Sequence, residues 1–281
     1  MKLLKYVFII FNLIFSSAYA VETLRVAVVF DLNTTSYSLA TRDTMSNKLI
    51  SDLNKSFSNS GLSSRINFTR VYYDAVAFTN YNETIYQLKD RYNANRTYGK
   101  VPILNLHYIQ KQNTADIVIG IVNPRYSSFD GICGMALNIP INMSQVKQAD
   151  SGILFIENKA VCLDDEKVVS HEVGHTFGLQ HGKAVYNYSG NLADYDINNI
   201  LSSLAGGYGK TYWSGNYTTI MAKSGLNVTD DDAHKHNRFS DVAKSVCGVT
   251  GNQPCGDSNS SAVNVMDYYA PYYNMRGAWY N

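Results

Sequence analysis

Charged residues, long apolar runs and closely spaced cysteines are all scarce in this chain of 281 residues. Only 17% of the residues are charged, and the basic and acidic side chains nearly cancel to a net charge of +1. The basic residues form no stripe and do not alternate with aromatic residues, which argues against a nucleic-acid partner. After the N-terminus no apolar run is long enough to cross a bilayer, so we expect no membrane anchor.

The first twenty residues have the pattern of a secretory signal peptide. Two lysines precede an apolar run that extends to Phe15, and an A-x-A cleavage pattern ends at Ala20. The apolar run is too short to be a membrane-spanning helix. We therefore expect cleavage near Ala20 and export to the extracellular space or the periplasm. The mature chain, residues 21–281, is long enough for one large domain.

Four cysteines in an exported chain suggest two disulfides. None of them shows the CxxC spacing of a structural zinc site, which argues against zinc bound by a cysteine cluster. Three pairings of four cysteines are possible. The most local arrangement joins Cys133 to Cys162 and Cys247 to Cys255.

Hydrophobic periodicity predicts a chain in which strands and helices alternate. The apolar run at residues 115–122 is expected to be a central, parallel strand. Residues 182–216 show little periodicity, which indicates a long irregular segment. No internal repeat or long linker divides the chain, so we expect one mixed α/β (α+β) domain. The predicted strands are 24–30, 66–73, 115–122, 131–139 and 153–157, and the predicted helices are 39–57, 82–93, 164–178 and 260–275.

The eleven residues from His171 to His181 read His-Glu-x-x-His-x-x-Gly-x-x-His. Histidines four apart on a helix point the same way, so His171 and His175 can bind one zinc ion at about 2.0–2.1 Å. Gly178 tolerates a positive φ, so the helix can end there and the chain can turn back. His181 then becomes a third ligand. Three protein ligands and an open fourth position are typical of catalytic zinc rather than structural zinc.

Glu172 directly follows the first histidine and is spaced to act as the base for a water at the same metal. The composition of the chain predicts only about 3 × 10⁻⁶ chance matches to these five positions. An ordinary helix with unrelated histidines is therefore a much weaker interpretation.

The run resembles the active-site motif of the metzincin zinc endopeptidases. Four other stretches resemble bacterial reprolysin-like enzymes, which include peptidyl-Asp metallopeptidases: residues 53–61, residues 115–118, the glycine-rich strand around Cys133, and residues 238–240 followed by 254–256. The resemblance implies a mixed, mostly parallel sheet and an active-site helix in an upper lobe, about residues 21–181. A smaller, irregular lower lobe, about residues 182–281, would end in a helix. It also implies a Met-turn, and residues 217–222 fit one. Met221 would then form an apolar floor beneath the imidazoles rather than a fourth ligand.

On this resemblance we expect a secreted zinc-dependent endopeptidase with one zinc ion per chain and a protein or peptide substrate. The substrate would pair with an edge strand by β-augmentation. We place that strand at residues 131–138, with Gly131, Gly134 and Ala136 in it. One alternative is a secreted zinc-binding protein that has the metzincin fold but no catalytic activity. The presence of Glu172 argues against this alternative. Another is a zinc amidohydrolase acting on cell-wall peptides.

Two other polar clusters could bind cations. Asp194, Asp196 and Asn198 alternate as calcium ligands do, but the glycine and closing glutamate of an EF-hand are lacking. His234 and His236 follow three aspartates. A solvated loop is the better interpretation of both clusters, so calcium or a second metal is not our prediction.

Overall fold

The computed structural model describes residues 20–33, 36–79, 85–98, 104–123, 133–140, 143–181, 211–212, 217–221, 234–235, 237–241, 243–244, 255–256 and 261–276. Within them the strands are β1 (Glu22–Asp31), β2 (Ile66–Val76), β3 (Ile117–Val122), β4 (Gly134–Ala136), β5 (Ile153–Glu157), β6 (Thr211–Tyr212), β7 (Tyr217–Thr218) and β8 (His234–Lys235). The helices are α1 (Leu39–Asn59), α2 (Ile85–Tyr98), α3 (Leu104–Gln112), α4 (Met143–Val146), α5 (Ala160–Leu163), α6 (Glu166–Thr176) and α7 (Ala262–Tyr273), and a 3₁₀ turn spans Ala149–Gly152.

A five-stranded sheet with the order β2-β1-β3-β5-β4 forms the framework of the domain. β1, β2, β3 and β5 run parallel, and β4 joins antiparallel at one edge. β3 pairs in parallel with both β1 and β5, and all six of its residues are buried. The prediction of a central, parallel strand there is confirmed, as is the mixed, mostly parallel fold.

Helices cover both faces of this sheet, because alternate residues of the central strands belong to two different cores. Val26 and Val28 of β1 pack into a larger core with residues of α1, α6 and α7, whereas Ala27 and Val29 face a smaller core with residues of α2 and α3. Burial on both faces explains why the central strands read as continuous apolar runs rather than alternating ones. Each fully buried large aliphatic or aromatic side chain contributes about 1.5–3 kcal/mol to folding.

Several boundaries differ from the sequence-based expectations. α3 was not predicted. Of the strand expected at 131–139, residues 131–132 lie outside the described residues, and within 133–139 only the three residues of β4 are strand. The helix expected at residues 164–178, α6, begins at Glu166 rather than Asp164, because the short helix α5 precedes it and Asp165 caps it. Pro271 lies inside α7 without ending it. It is exposed, and without an amide hydrogen it cannot donate to the Asp267 carbonyl, but the helix continues to Tyr273.

Among the described residues, no helix is both long enough and apolar enough to span a membrane.

Candidate metal centre

Helix α6 carries the first two histidines of the run, and both of its ends have specific caps. At its start the Asp165 carboxylate accepts a hydrogen bond from the Lys167 amide at 2.9 Å. Glu166 follows in the first turn, where the positive end of the helix dipole stabilises a carboxylate. A hydrogen bond from Lys55 of α1 holds the pKa of Glu166 below its ordinary value. These contacts attach the start of the helix to α1.

The C-terminal end of α6 is a Schellman turn around Gly178. Gly178 has a φ of 91°, a left-handed conformation that favours glycine. Its amide donates to the His175 carbonyl at 2.9 Å, and the Leu179 amide donates to the Gly174 carbonyl at 3.0 Å. This pair of bonds defines the motif. The helix ends there, and the chain returns to bring His181 beside the other two histidines.

The three imidazoles converge through their Nε2 atoms. His181 Nε2 lies 3.0 Å from His171 Nε2 and 3.1 Å from His175 Nε2. Tetrahedral zinc with ligand distances of 2.0–2.1 Å separates its nitrogens by about 3.3 Å, so this spacing is close to that of a zinc site. Among the residues that the structure describes, no other group of three histidine, cysteine or acidic side chains could hold a metal ion.

Hydrogen bonds to main-chain carbonyls set the tautomers of two of these histidines. His171 Nδ1 lies 2.7 Å from the Ile220 carbonyl, and His175 Nδ1 lies 2.8 Å from the Leu179 carbonyl. A carbonyl only accepts, so each Nδ1 carries the proton and each Nε2 offers a lone pair. Three converging nitrogens, at least two of them with lone pairs, form a donor set that can bind one cation between them. The donor set and its orientation therefore fit zinc.

Met221 lies under the helix, at the turn that follows β7. It is fully buried, and a Cβ built on Gly174 would collide with its Sδ atom. Gly174 stands between the two helical histidines in sequence, so the sulfur packs directly against the turn of α6 that carries them. The preceding residue, Ile220, receives the His171 hydrogen bond, and its amide donates to the Arg238 carbonyl at 3.0 Å. Ile220 of this turn thus orients His171, and Met221 packs against α6 at Gly174.

Glu172 is 6% exposed and lies against the edge strand β4. A Cβ built on Gly134 would lie 2.5 Å from Glu172 Cγ and 3.0 Å from its Cδ. Gly134 and Ala136 pair with Ile156 and Leu154 of β5, so the other edge of β4 lies at the border of the sheet. The structure thus places Gly134 beside the glutamate and Ala136 in the same edge strand, and Gly131 lies outside the described residues.

Lys89 of α2 is a charged residue near this site that the sequence did not indicate. Its side chain is half-buried, and this burial lowers its pKa below the ordinary value. The negative charges of Glu172 and Asp90 offset only part of that shift. Its relation to Glu172 depends on how α2 packs on the sheet. Nothing in the local sequence around Lys89 signals that relation.

A disulfide joins Cys133 to Cys162, with a Cα–Cα distance of 5.0 Å. Cys133 directly precedes β4, and Cys162 lies in α5, just before α6. The bridge therefore connects the edge strand to the segment that leads into the helix carrying His171 and His175. Cys255 is also disulfide-bonded. Its expected partner Cys247 lies outside the described residues.

The two weaker cation clusters lie almost entirely outside the described residues. Asp194, Asp196, Asn198 and His236 lie outside the described residues, and the backbone of His234 pairs with Tyr217 in a small second sheet, β6-β7-β8.

We compared the chain with known proteins by family, by sequence and by structure. No curated protein matches the chain. A solved structure described as "Structure of a chaperone-substrate complex" superposes with a TM-score of 0.61 and 18% identity over 91% of this chain, which supports the fold alone. This chain covers 35% of that longer chain. Residues 26–182 match the family described as "Metallo-peptidase family M12B Reprolysin-like". That match spans more than half of the chain and contains the whole histidine run, so the protein belongs to the reprolysin-like family of metallopeptidases.

Proposed function

We propose that this protein is an exported zinc endopeptidase in which His171, His175 and His181 hold one zinc ion and Glu172 is the general base. The observation that carries the proposal is the convergence of three Nε2 atoms, two of them oriented by carbonyls, beside a buried glutamate. Three protein ligands and an adjacent carboxylate are what zinc-dependent hydrolysis requires.

When bound, zinc supplies a Lewis acid that lowers the pKa of water toward about 7 and polarises a peptide carbonyl. Glu172 accepts the proton from the attacking water and then delivers it to the leaving amine. Its low exposure favours this role, because a carboxylate shielded from bulk solvent passes its proton to the substrate rather than to water. His171 and His175 keep their orientation through their carbonyl partners.

The substrate binds as an extended chain along the edge of β4 that no described strand covers, and pairs with its main chain. β4 is the antiparallel edge strand and contacts Glu172 through Gly134, so a peptide added there runs beside the base. The absence of a side chain at Gly134 lets the carboxylate approach that peptide. Proteins and peptides are therefore the proposed substrates.

Export is supported by the N-terminal pattern and by the disulfides. The first twenty residues have the sequence of a signal peptide, and disulfides persist in oxidising compartments. The proposed site of action is therefore outside the cytoplasm.

The test uses the mature chain, residues 21–281, with its disulfides intact. Metal analysis should find about one equivalent of zinc, and His175→Ala should lower that content. A proteome-derived peptide library should be cleaved, and a chelator should stop the cleavage. Zinc-loaded protein that cleaves no peptide would contradict the proposal and favour a binding protein. Cleavage of cell-wall peptides alone would favour an amidohydrolase.

A further inference from the structure

Two buried side chains from the C-terminal region reach the end of the active-site helix. The Tyr273 hydroxyl, from the last residue of α7, donates to the Phe177 carbonyl at 3.1 Å. Arg276 follows the helix, and its Nη2 donates to the Thr176 carbonyl. Both side chains are fully buried. The contacts join parts of the chain that are about a hundred residues apart and meet just before Gly178.

These two side chains complete the hydrogen bonding of the end of α6. The carbonyls of the last four residues of an α-helix have no partner within the helix. Here the Schellman turn binds the carbonyls of Gly174 and His175 through the amides of Leu179 and Gly178. The next two carbonyls, of Thr176 and Phe177, are the ones that Arg276 and Tyr273 bind. The turn that leads to His181 is therefore fixed by main-chain bonds on one side and by side chains on the other.

Arg276 is suited to this position although its burial is costly. Burial lowers its pKa to about 10, so the guanidinium still carries its charge at neutral pH. The negative end of the helix dipole favours a cation at the last carbonyls. The charge of Asp116 also favours the protonated form, and Arg276 Nε donates to the Val146 carbonyl at 2.7 Å. The charge is therefore compensated by dipoles and a remote carboxylate.

Aromatic contacts also hold Tyr273 and Arg276 in place at the end of α6. The rings of Phe177 and Tyr273 stack with their centroids 4.0 Å apart. The Arg276 guanidinium lies 5.3 Å from the centre of the Tyr273 ring. Burial raises the pKa of Tyr273, so its hydroxyl keeps the proton that it donates. The stacked rings and the two hydrogen bonds thus restrict movement of the end of α6 relative to α7.

We propose that Tyr273 and Arg276 are positioning residues, which hold the Gly178 turn so that His181 meets the other two ligands and thereby set the affinity for zinc. The proposal rests on the proposed zinc site. His175 is oriented by the Leu179 carbonyl, which lies in the same turn, so a displaced turn disturbs the second and third ligands together. Loss of such supporting contacts typically weakens metal binding by about 10- to 100-fold.

The test compares the mature wild-type protein with Tyr273→Phe and Arg276→Lys. Tyr273→Phe removes one hydroxyl and leaves the stacked ring, and Arg276→Lys keeps the charge but loses the forked donor. Thr79→Val is the matched control, since Thr79 donates a buried hydroxyl to Asp31 at the end of β1. The readouts are zinc affinity by chelator competition, melting temperature, and amide exchange of Gly178 and Leu179 in the zinc-free protein.

We expect Tyr273→Phe to weaken zinc binding by about tenfold. Exchange at Gly178 and Leu179 should rise by about three- to tenfold. Arg276→Lys should weaken zinc binding further, and Thr79→Val should lower the melting temperature without changing zinc affinity. Wild-type zinc affinity and exchange in Tyr273→Phe would overturn the proposal, as would an equal loss of zinc affinity in Thr79→Val. If Arg276→Lys does not fold, Tyr273→Phe decides.

This test separates the two proposals, because its readouts do not need catalysis. A wild-type protein that binds zinc but cleaves no peptide would contradict the endopeptidase proposal, and the comparison of affinities would still judge the positioning role. If the wild type binds no zinc at these histidines, the positioning proposal is overturned as well.

Discussion

Gly134 of β4 and Glu172 of α6 are packed so closely that no side chain fits between them. A Cβ on Gly134 would lie 2.5 Å from Glu172 Cγ, well inside van der Waals contact. The neighbouring atom belongs to the middle of the glutamate side chain rather than to a mobile tip, so the carboxylate itself would have to move. The glycine on the edge strand therefore sets the place of the proposed base.

Gly134→Ala should lower peptide hydrolysis by about 100-fold, because a displacement of a catalytic group by about 1 Å has a cost of that order. Zinc content should stay near that of the wild type. Gly120→Ala is the control: its Cβ would lie 2.7 Å from the Phe155 ring, within the sheet's core. We expect the control to lose stability but to keep its activity per folded molecule. Equal activity of Gly134→Ala and the wild type would show that the base does not depend on this contact.

Gly178→Ala should weaken zinc binding, because alanine disfavours the φ of 91° that the Schellman turn requires. The strain costs about 1–2 kcal/mol and is relieved by a shift of the turn that carries His181. Gly61→Ala provides a matched control, since Gly61 follows α1 with a φ of 77° and has open space around it. Both variants should melt at a lower temperature, and chelator competition should detect weaker zinc binding in Gly178→Ala alone. Unchanged zinc affinity there would argue against a role for the turn.

Loss of the Cys133–Cys162 disulfide should destabilise the mature chain by about 3–4 kcal/mol, the chain-entropy effect of a closed loop of this length. The separation of the two cysteines is 29 residues. The double variant to alanine should unfold at a lower urea concentration, and either single variant should behave alike because the bridge is lost in each. Peptide mapping of the unreduced wild type should recover the Cys133–Cys162 pair. A peptide linking either cysteine to Cys247 would contradict this account.

The ion pair of Glu166 with Lys55 should make stability depend on pH in the acid range. The hydrogen bond from Lys55 lowers the pKa of Glu166 below its ordinary 4.5. A carboxyl with a lowered folded-state pKa adds stability that is complete above the unfolded value and is lost as the pH falls through the folded value. The difference in stability between the wild type and Glu166→Gln should therefore shrink as the pH is lowered below about 4.5. Lys55→Met should remove this pH dependence of stability. A stability difference between the wild type and Glu166→Gln that grows as the pH falls would contradict the prediction.

Local patterns explain why much of the site could be predicted. The arrangement of the three histidines follows from the sequence of residues 171–181 alone. Helical spacing aligns His171 with His175, and Gly178 allows the turn that brings back His181. Aspartate is a common N-terminal cap, and Asp165 binds the first turn of α6. The unbroken apolar run of β3 correctly indicated a strand buried on both faces.

Contacts between distant segments could not be predicted in the same way. Lys89 lies within electrostatic range of Glu172, and Arg276 binds the Thr176 carbonyl, because of how whole helices pack on the sheet. A lysine on a polar helix and an arginine after a helix have no distinctive local pattern. α3 was missed for a related reason: its apolar side chains Leu106 and Ile109 are few, and its identity as a helix depends on packing against the smaller core.

The central claim, that Glu172 is the base of a zinc peptidase, is tested most directly by the hydrolysis rate of Glu172→Gln. Glutamine has nearly the same shape but cannot accept the proton, so peptide cleavage should fall by about 10²–10⁴-fold or more. Zinc content and melting temperature should remain near those of the wild type. Glu166→Gln, on the first turn of the same helix, should retain activity. If Glu172→Gln cleaves the peptide library as fast as the wild type, the activity arises elsewhere and the account is wrong.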